Sequence, residues 1–189
     1  MRLPATFAQR MQPTHTFDQV ATLPIAFTTA LHGLRHVARL QRNEKVLIQS
    51  ATGGLGLAAI QIARDVGAEI FATVGTEEKL RFLVEGLILP ASHVAISPPR
   101  TTPPTSGFTK PFPGIDFDVV LSTGSGEALE EALHRLAPQG RLVDIGRVDV
   151  QNLGSLHMEA FQKNATFTSF DLNLLMEHSP EICEQWVFL

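Results

Sequence analysis

The feature that most constrains the fold of this chain is an apolar run that enters a glycine-rich turn and then a helical pattern. The run covers about Lys45–Gln49, and the turn has the form Ala51-x-Gly53-x-x-Gly56. A strand, a small-residue turn and a helix in this order bring backbone N–H groups to a helix N-terminus without intervening side chains. A dinucleotide's pyrophosphate needs that arrangement, so the segment predicts a dinucleotide-binding turn.

Alternating strand and helix patterns surround this turn. The context matters, because a glycine turn also joins strands to helices for purely structural reasons. The alternation predicts an α/β fold with a Rossmann-like parallel sheet and helices on both faces, over residues 16–175. Further strands are predicted at Glu69–Val74, His93–Ile96, Phe117–Leu121, Arg141–Ile145 and Ala165–Phe170. Helices are predicted from the glycine turn to Gly67, from Thr76 to about Glu85, and through Ala128–Leu136.

An amphipathic helix is predicted ahead of the first strand. Thr16 and Gln19 have the spacing of a capping box. After Pro24, apolar and polar residues separate onto opposite faces, with Ala30, Leu31, Leu34, Val37 and Ala38 on one and His32, Arg35, His36 and Arg39 on the other. His32 and His36 are therefore expected to be exposed to solvent. Because the histidines and the one cysteine show no zinc-ligand spacing, no metal site is predicted.

Charge and cysteine usage narrow the expected partners. Fifteen basic against nineteen acidic residues give a formal charge of −4, which offers no attraction for nucleic acid or an anionic membrane. The single cysteine, Cys183, excludes an internal disulfide framework and fits a reducing compartment. No apolar run reaches the roughly 18 residues that a membrane span needs. We therefore expect a cytoplasmic protein with neither nucleic acid nor a membrane as partner.

The end of the second strand favours NADPH over NADH. A cofactor without a 2′-phosphate usually meets an acidic residue there, whereas this chain has Gly75 and Thr76. Lys79 follows in the first turn of the next helix, where a cation opposes the helix dipole unless an anion such as a 2′-phosphate lies nearby. The alternative is that Thr76 is only an N-cap and Lys79 is solvated.

Other strand ends supply further candidates. Ser122, Thr123 and Gly146 follow parallel strands, whose carboxyl ends line the ligand crevice of open α/β sheets. We expect them near the nicotinamide half of the cofactor. Ser125 lies between two glycines but lacks the spacing of a nucleophile elbow, so it is interpreted as part of a turn.

The chain resembles the enoyl reductase domain of fungal highly reducing polyketide synthases, within the zinc-independent medium-chain dehydrogenase/reductase superfamily. The resemblance extends over residues 4–174 and is carried by ATLPIAFTTALHGL, KVLIQSATGGLGLAAIQIARDVGAEIFATVGTEEK, FDVVLSTGSGEAL, LAPQGRLVDIGRVDV and MEAFQKNATFTSFDL. It implies NADPH-dependent reduction of an α,β-unsaturated thioester held on an acyl carrier protein. The implied partners are that carrier-bound thioester and the other synthase domains, with a homodimer as an open alternative.

The resemblance also implies roles for particular residues. The cofactor turn is matched by Ala51, Gly53, Gly54, Leu55 and Gly56. Thr76 and Lys79 match the 2′-phosphate contacts, and Thr29 matches a threonine that approaches the nicotinamide. Arg147 stands where the family usually has a lysine that is proposed to protonate the substrate. Because arginine keeps its proton near neutral pH, Arg147 is a weak catalytic candidate and is better suited to anchor charge.

The resemblance also sets the expected domain organisation. Family members begin with a GroES-like substrate domain, of which residues 1–15 would be a remnant or an extended lead-in. A proline-rich stretch at 97–114 is expected to be a loop or disordered and replaces a helical segment of the family. Residues 176–189 end on four large apolar side chains and are expected to be a truncated C-terminal segment.

Two other functions remain open from the sequence. One is a quinone oxidoreductase-like enzyme of the same superfamily that reduces free small molecules. The other is a non-catalytic remnant that serves as a structural or docking module, which the missing substrate half favours.

Overall fold

The computed structural model describes residues 10–97 and 112–184. Its strands are β1 (Lys45–Ile48), β2 (Glu69–Val74), β3 (Val94–Ile96), β4 (Phe117–Ser122), β5 (Leu136–Asp144) and β6 (Thr166–Ser169). Its helices are α1 (Phe17–Leu31), α2 (Gly54–Val66), α3 (Glu77–Arg81), α4 (Glu127–His134), α5 (Val148–Gln151), α6 (Leu172–His178) and α7 (Pro180–Glu184). Wider helical turns extend α1 over His32–Val37 and α3 over Phe82–Gly86, and short 3-10 turns lie at Ala91–His93 and Met158–Lys163.

The six strands form one parallel sheet in the order β3-β2-β1-β4-β5-β6. This is the doubly wound order of Rossmann folds, and it confirms the predicted fold class. The chain leaves β1 toward β2 on one side and later returns to place β4 on the other side. The carboxyl ends of β1 and β4 therefore flank the topological switch point, where such sheets bind their ligands.

Apolar side chains cover both faces of the sheet. In β1, Val46 and Ile48 join the core beneath α1 and α2, while Leu47 points to the second core with α4. Phe71 and Phe117 are fully buried in that second core, and their rings meet edge to face with centroids 5.3 Å apart. Both faces of the sheet are thus covered by apolar side chains.

Helix α1 begins where the sequence predicts. Thr16 and Gln19 form the expected capping box, and Pro24 lies inside the helix. The prediction that His32 is exposed is wrong, because only 8% of its surface is accessible. Phe170, just after β6, packs its ring against the His32 imidazole and covers the face that the helical pattern assigns to solvent.

Two boundaries also differ from the sequence-based prediction. Leu136, predicted as the end of a helix, instead opens β5 and pairs with Phe117, because the β4–β5 register shifts between Phe117 and Val119. Of the proline-rich stretch, residues 98–111 lie outside the described residues, whereas Phe112 is buried against Phe71. Within the part of the chain that the structure describes, no helix is both long and apolar enough to cross a membrane.

Candidate functional site

The glycine-rich turn joins β1 directly to α2. Gly53 is the N-cap of α2 in an extended conformation, and the helix ends at Gly67 in the left-handed region. Gly56 packs against the turn itself, since a Cβ there would lie 2.5 Å from the Cα of Ala51. Ala51 is fully buried and donates its N–H to the Thr73 carbonyl at the end of β2. The turn is therefore fixed to both strands.

The outer side of the same turn is open. A Cβ on Gly54 would have nothing within 4 Å, and one on Gly53 would have only the Ser50 carbonyl oxygen, at 3.4 Å. No side chain caps the first turn of α2, and Leu55 points its half-buried side chain into the core instead. A 13-residue helix with an uncapped N-terminus offers N–H groups and a positive dipole end. The turn thus fits a diphosphate.

The end of β2 has the residues that the sequence singled out. Thr76 is the N-cap of α3, and its hydroxyl accepts the N–H of Lys79 at 3.3 Å, which does not decide between a cap alone and a cap that also contacts a phosphate. Gly75 is exposed and a Cβ there would contact nothing within 4 Å. The exposed Lys79 side chain forms no ion pair with the carboxylates of the described residues. Contact of Thr76 and Lys79 with a 2′-phosphate stays a prediction.

A hydrogen-bonded hub holds the ends of β1 and β4 together. The carboxamide oxygen of Gln49 accepts the Ser122 hydroxyl at 3.1 Å and the N–H groups of Thr123 and Gly124 at 3.1 and 2.9 Å. A second contact joins the same two segments, since the hydroxyl oxygens of Ser50 and Thr123 lie 2.9 Å apart. Ser122 is fully buried, so its hydroxyl belongs to this hub. Sequence reasoning missed Gln49, although a polar residue directly after a buried apolar run is a visible signal.

The structure brings Gly146 to the same crevice. A Cβ on Gly146 would lie 3.0 Å from the Thr123 carbonyl oxygen, so the loops after β4 and β5 touch. Asp144, at the end of β5, is 1% exposed and accepts the N–H groups of Gly146 and Arg147, each at 3.1 Å. Burial raises the pKa of the Asp144 carboxyl above its ordinary value, against those hydrogen bonds.

Arg147 is held by its own loop and by a carboxylate. Its backbone is in the left-handed region, with φ of +54°, a conformation that the Asp144 hydrogen bonds stabilise. Its guanidinium forms an ion pair with Asp171, which follows β6. The pair is about three-quarters buried, and the Arg147 Nε has no hydrogen-bond partner among the described residues. A charge held in this way favours an anchoring role for Arg147.

Helix α1 runs antiparallel to the strands and reaches the carboxyl edge with Thr29. Just beyond the helical segment, the Ala38 carbonyl accepts a hydrogen bond from Arg141, two residues before Val143 in β5, at 2.9 Å. Gly33 packs against Val143, which is nearer the carboxyl end of β5, since a Cβ on Gly33 would lie 3.4 Å from the Val143 side chain. Thr29 is one turn earlier, roughly 5 Å nearer the carboxyl edge, and is buried. Whether Thr29 approaches a nicotinamide stays a prediction.

The two histidines of α1 lie beside this edge. The His32 and His36 rings stack with centroids 5.8 Å apart, and Phe170 meets His32 edge-on at 4.6 Å. Burial lowers the pKa of His32 below its ordinary value, and the neighbouring His36 adds to the effect. The His32 Nδ1 has no hydrogen-bond partner among the described residues. In those residues no three histidine, cysteine, aspartate or glutamate side chains come together as metal ligands.

Comparison with known proteins agrees with this geometry. A family model described as zinc-binding dehydrogenase matches residues 54–181. Prosolanapyrone synthase of Alternaria solani is 51% identical over 172 residues, which are 91% of this chain but 6% of that synthase.

Two solved structures share the fold over most of the chain. The CurK enoyl reductase superposes with a TM-score of 0.80 at 35% identity, over 97% of this chain and 53% of its own. The nucleotide-binding subdomain of the PpsC enoylreductase domain from Mycobacterium tuberculosis gives a TM-score of 0.75 at 36% identity, over 87% of this chain and 89% of its own.

Proposed function

We infer the function of this chain from its family: it belongs to the zinc-binding dehydrogenases, and its solved relatives include enoyl reductases. We propose that it is the NADPH-binding half of a polyketide synthase enoyl reductase, which reduces an α,β-unsaturated acyl thioester. The observation that carries the proposal is the turn at 51–56, which is packed tightly on its inner side and open on its outer side. Such a turn accepts a diphosphate against backbone N–H groups.

The coenzyme's two halves would lie on opposite sides of this turn. Gly54 and Leu55 would present their N–H groups to the pyrophosphate, whereas the Gly53 N–H donates to the Ser50 carbonyl at 3.0 Å and Gly53 would contribute its lack of a side chain. The adenosine half would extend over the end of β2, where Lys79 forms no ion pair with the carboxylates of the described residues and Gly75 leaves room. A lysine there attracts a 2′-phosphate through charge, and the absence of an acidic residue removes the usual partner of an unphosphorylated ribose.

The nicotinamide half would lie over the ends of β4 and β5. When bound, NADPH supplies a hydride to the β-carbon of the unsaturated thioester. Thr123 and Gly146 would line this side, and Thr29 would approach it from α1. Because Asp171 neutralises Arg147, we assign this arginine to anchoring the loop after β5. A proton for the α-carbon therefore has to come from another group.

The substrate, the partner domains and the location of the enzyme are proposed by analogy with the relatives of this chain. The substrate would be an enoyl group on an acyl carrier protein, and the partners would be the neighbouring domains of a fungal synthase in the cytoplasm. We propose that another domain of that protein completes the substrate cleft. A homodimer is compatible with this arrangement.

Titration of the chain with NADPH and NADH tests the proposal. We expect NADPH to bind at least tenfold more tightly, equivalent to about 1.4 kcal/mol. Lys79→Ala should remove most of that preference by weakening NADPH alone. Lys163→Ala is the matched control, because Lys163 binds the carbonyls of His134 and Leu136 on the opposite side of the fold.

The outcomes separate this proposal from its alternatives. Equal affinity for both coenzymes in the unaltered chain would contradict the role of Lys79. Binding of neither coenzyme would contradict the reductase assignment and favour a structural or docking module. In the full-length protein, reduction of a soluble quinone but not of a carrier-bound enoyl thioester would favour the quinone oxidoreductase-like alternative.

A further inference from the structure

We propose that Gln49 is a positioning residue that aligns the nicotinamide side of the crevice with the glycine-rich turn; this inference rests on the proposed function. Gln49 directly follows β1, so it belongs to the segment that leads into the turn. It is 6% exposed. Its side chain crosses the switch point, and its carboxamide oxygen accepts hydrogen bonds from the last residue of β4 and from the loop that follows.

Three donors converge on one oxygen of this side chain. They are the Ser122 hydroxyl and the N–H groups of Thr123 and Gly124, at 2.9 to 3.1 Å. Two consecutive N–H groups that point toward β1 fix the peptide planes of the loop. The Thr123 hydroxyl, 2.9 Å from that of Ser50, joins the same loop to the segment after β1 at a second point. Without the carboxamide oxygen, the part-buried Thr123 N–H would lose its acceptor, and the Gly124 N–H would keep only the Ser122 hydroxyl, at 3.2 Å. The loop would then rotate to satisfy these groups.

The packing around the hub leaves little freedom for a different arrangement. A Cβ on Gly124 would lie 3.1 Å from the Gln49 oxygen and 3.3 Å from the Ala128 Cβ. A Cβ on Gly146 would meet the Thr123 carbonyl at 3.0 Å, so a shift of the β4 loop also displaces the β5 loop. Gln49 thereby sets the position of both loops relative to the turn at 51–56.

Because the Gln49 side chain contacts the end of β4 and not the end of β2, its loss should affect the two halves of the cofactor differently. The end of β2 and the glycine turn are fixed by other contacts, such as the Ala51 N–H to the Thr73 carbonyl at 3.0 Å. Loss of the hub should therefore disturb the nicotinamide side and leave the adenosine side intact. A purely structural role would instead weaken both sides together.

Calorimetric titration with two ligands tests this asymmetry. NADPH spans both sides, whereas adenosine 2′,5′-bisphosphate contains only the adenosine part. Gln49→Met removes the acceptor with little change in length, and Gln49→Glu retains a carboxyl oxygen for the same donors. Gly124→Ala displaces the carboxamide while Gln49 stays in place. Gln61→Met is the matched control, because Gln61 lies on the exposed face of α2.

Gln49→Met and Gly124→Ala should each raise the Kd of NADPH about tenfold and leave that of the bisphosphate within about twofold. Gln49→Glu should restore NADPH binding, and Gln61→Met should change neither value. Circular dichroism checks that each variant folds. If either Gln49→Met or Gly124→Ala fails to fold, the other variant provides the test. Equal weakening of both ligands, or no weakening of either, would overturn the role of Gln49. If the unaltered chain bound neither ligand, the proposed function itself would fail.

Discussion

Two neighbouring glycines in the turn should respond in opposite ways to the same substitution. Gly56→Ala places a Cβ 2.5 to 2.6 Å from the Cα, carbonyl carbon and carbonyl oxygen of Ala51. These are backbone atoms of a residue that is fully buried and hydrogen-bonded to β2, so they cannot yield as a flexible side chain would. Overpacking of a rigid site costs about 1–3 kcal/mol, and we expect the upper end of that range.

Gly54→Ala adds the same methyl group where nothing lies within 4 Å. Because alanine is the better helix former by about 0.5–1 kcal/mol, the free energy of unfolding should stay unchanged or rise. The added Cβ would nevertheless occupy the space that we assign to the pyrophosphate. NADPH should therefore bind at least tenfold more weakly, about 1.4 kcal/mol, to a protein that is no less stable.

Urea unfolding and NADPH titration of both variants provide the measurement. Gly56→Ala should lower the urea midpoint with an unchanged m-value, and Gly54→Ala should lower only the affinity. Wild-type affinity in Gly54→Ala would refute the assignment of the open space to the cofactor. Wild-type stability in Gly56→Ala would refute the tight contact between the helix and the turn.

Two further predictions concern stability at the carboxyl edge. Burial lowers the folded-state pKa of His32 below 6.5, so the unfolded chain takes up this proton at a higher pH than the folded chain does. The contribution of neutral His32 to the free energy of unfolding is therefore fully present above about pH 6.5 and is lost as the pH falls below that value. His32→Phe should flatten the decline in urea midpoint below about pH 6.5, and an unchanged slope would show that other groups cause it. Asp171→Asn should destabilise the fold by about 1–3 kcal/mol, because it leaves the partly buried Arg147 guanidinium without its ion pair. Chemical unfolding measures this loss, and a change under about 0.5 kcal/mol would contradict the anchoring role.

The elements that the sequence predicts best are those fixed by local patterns. The apolar run of β1, the capping box at Thr16 and the glycine at the end of α2 each depend on residues close in the chain, and the structure confirms all three. The parallel sheet follows from the alternation of strands and helices, whereas the strand order is a result of the structure. The glycine turn was predictable because its chemistry requires small residues at fixed spacing.

The features that the sequence did not predict depend on contacts between distant segments. His32 is buried because Phe170, more than a hundred residues later, covers it. Leu136 joins β5 because a register shift lets it pair with Phe117. The Gln49 hub joins residues 73 to 75 positions apart. Periodicity describes one element at a time, so it contains no information on these pairings.

Amide NMR of the chain during titration with NADPH tests the central claim most directly, because it reports which backbone N–H groups meet the ligand. We expect the largest shifts at residues 53–56, at Thr76 and Lys79, and in the loops after β4 and β5. NADH should shift the turn at 53–56 less at equal concentration and spare Lys79. Saturable shifts confined to other parts of the fold, with the turn unaffected, would contradict the claim that this turn binds the coenzyme.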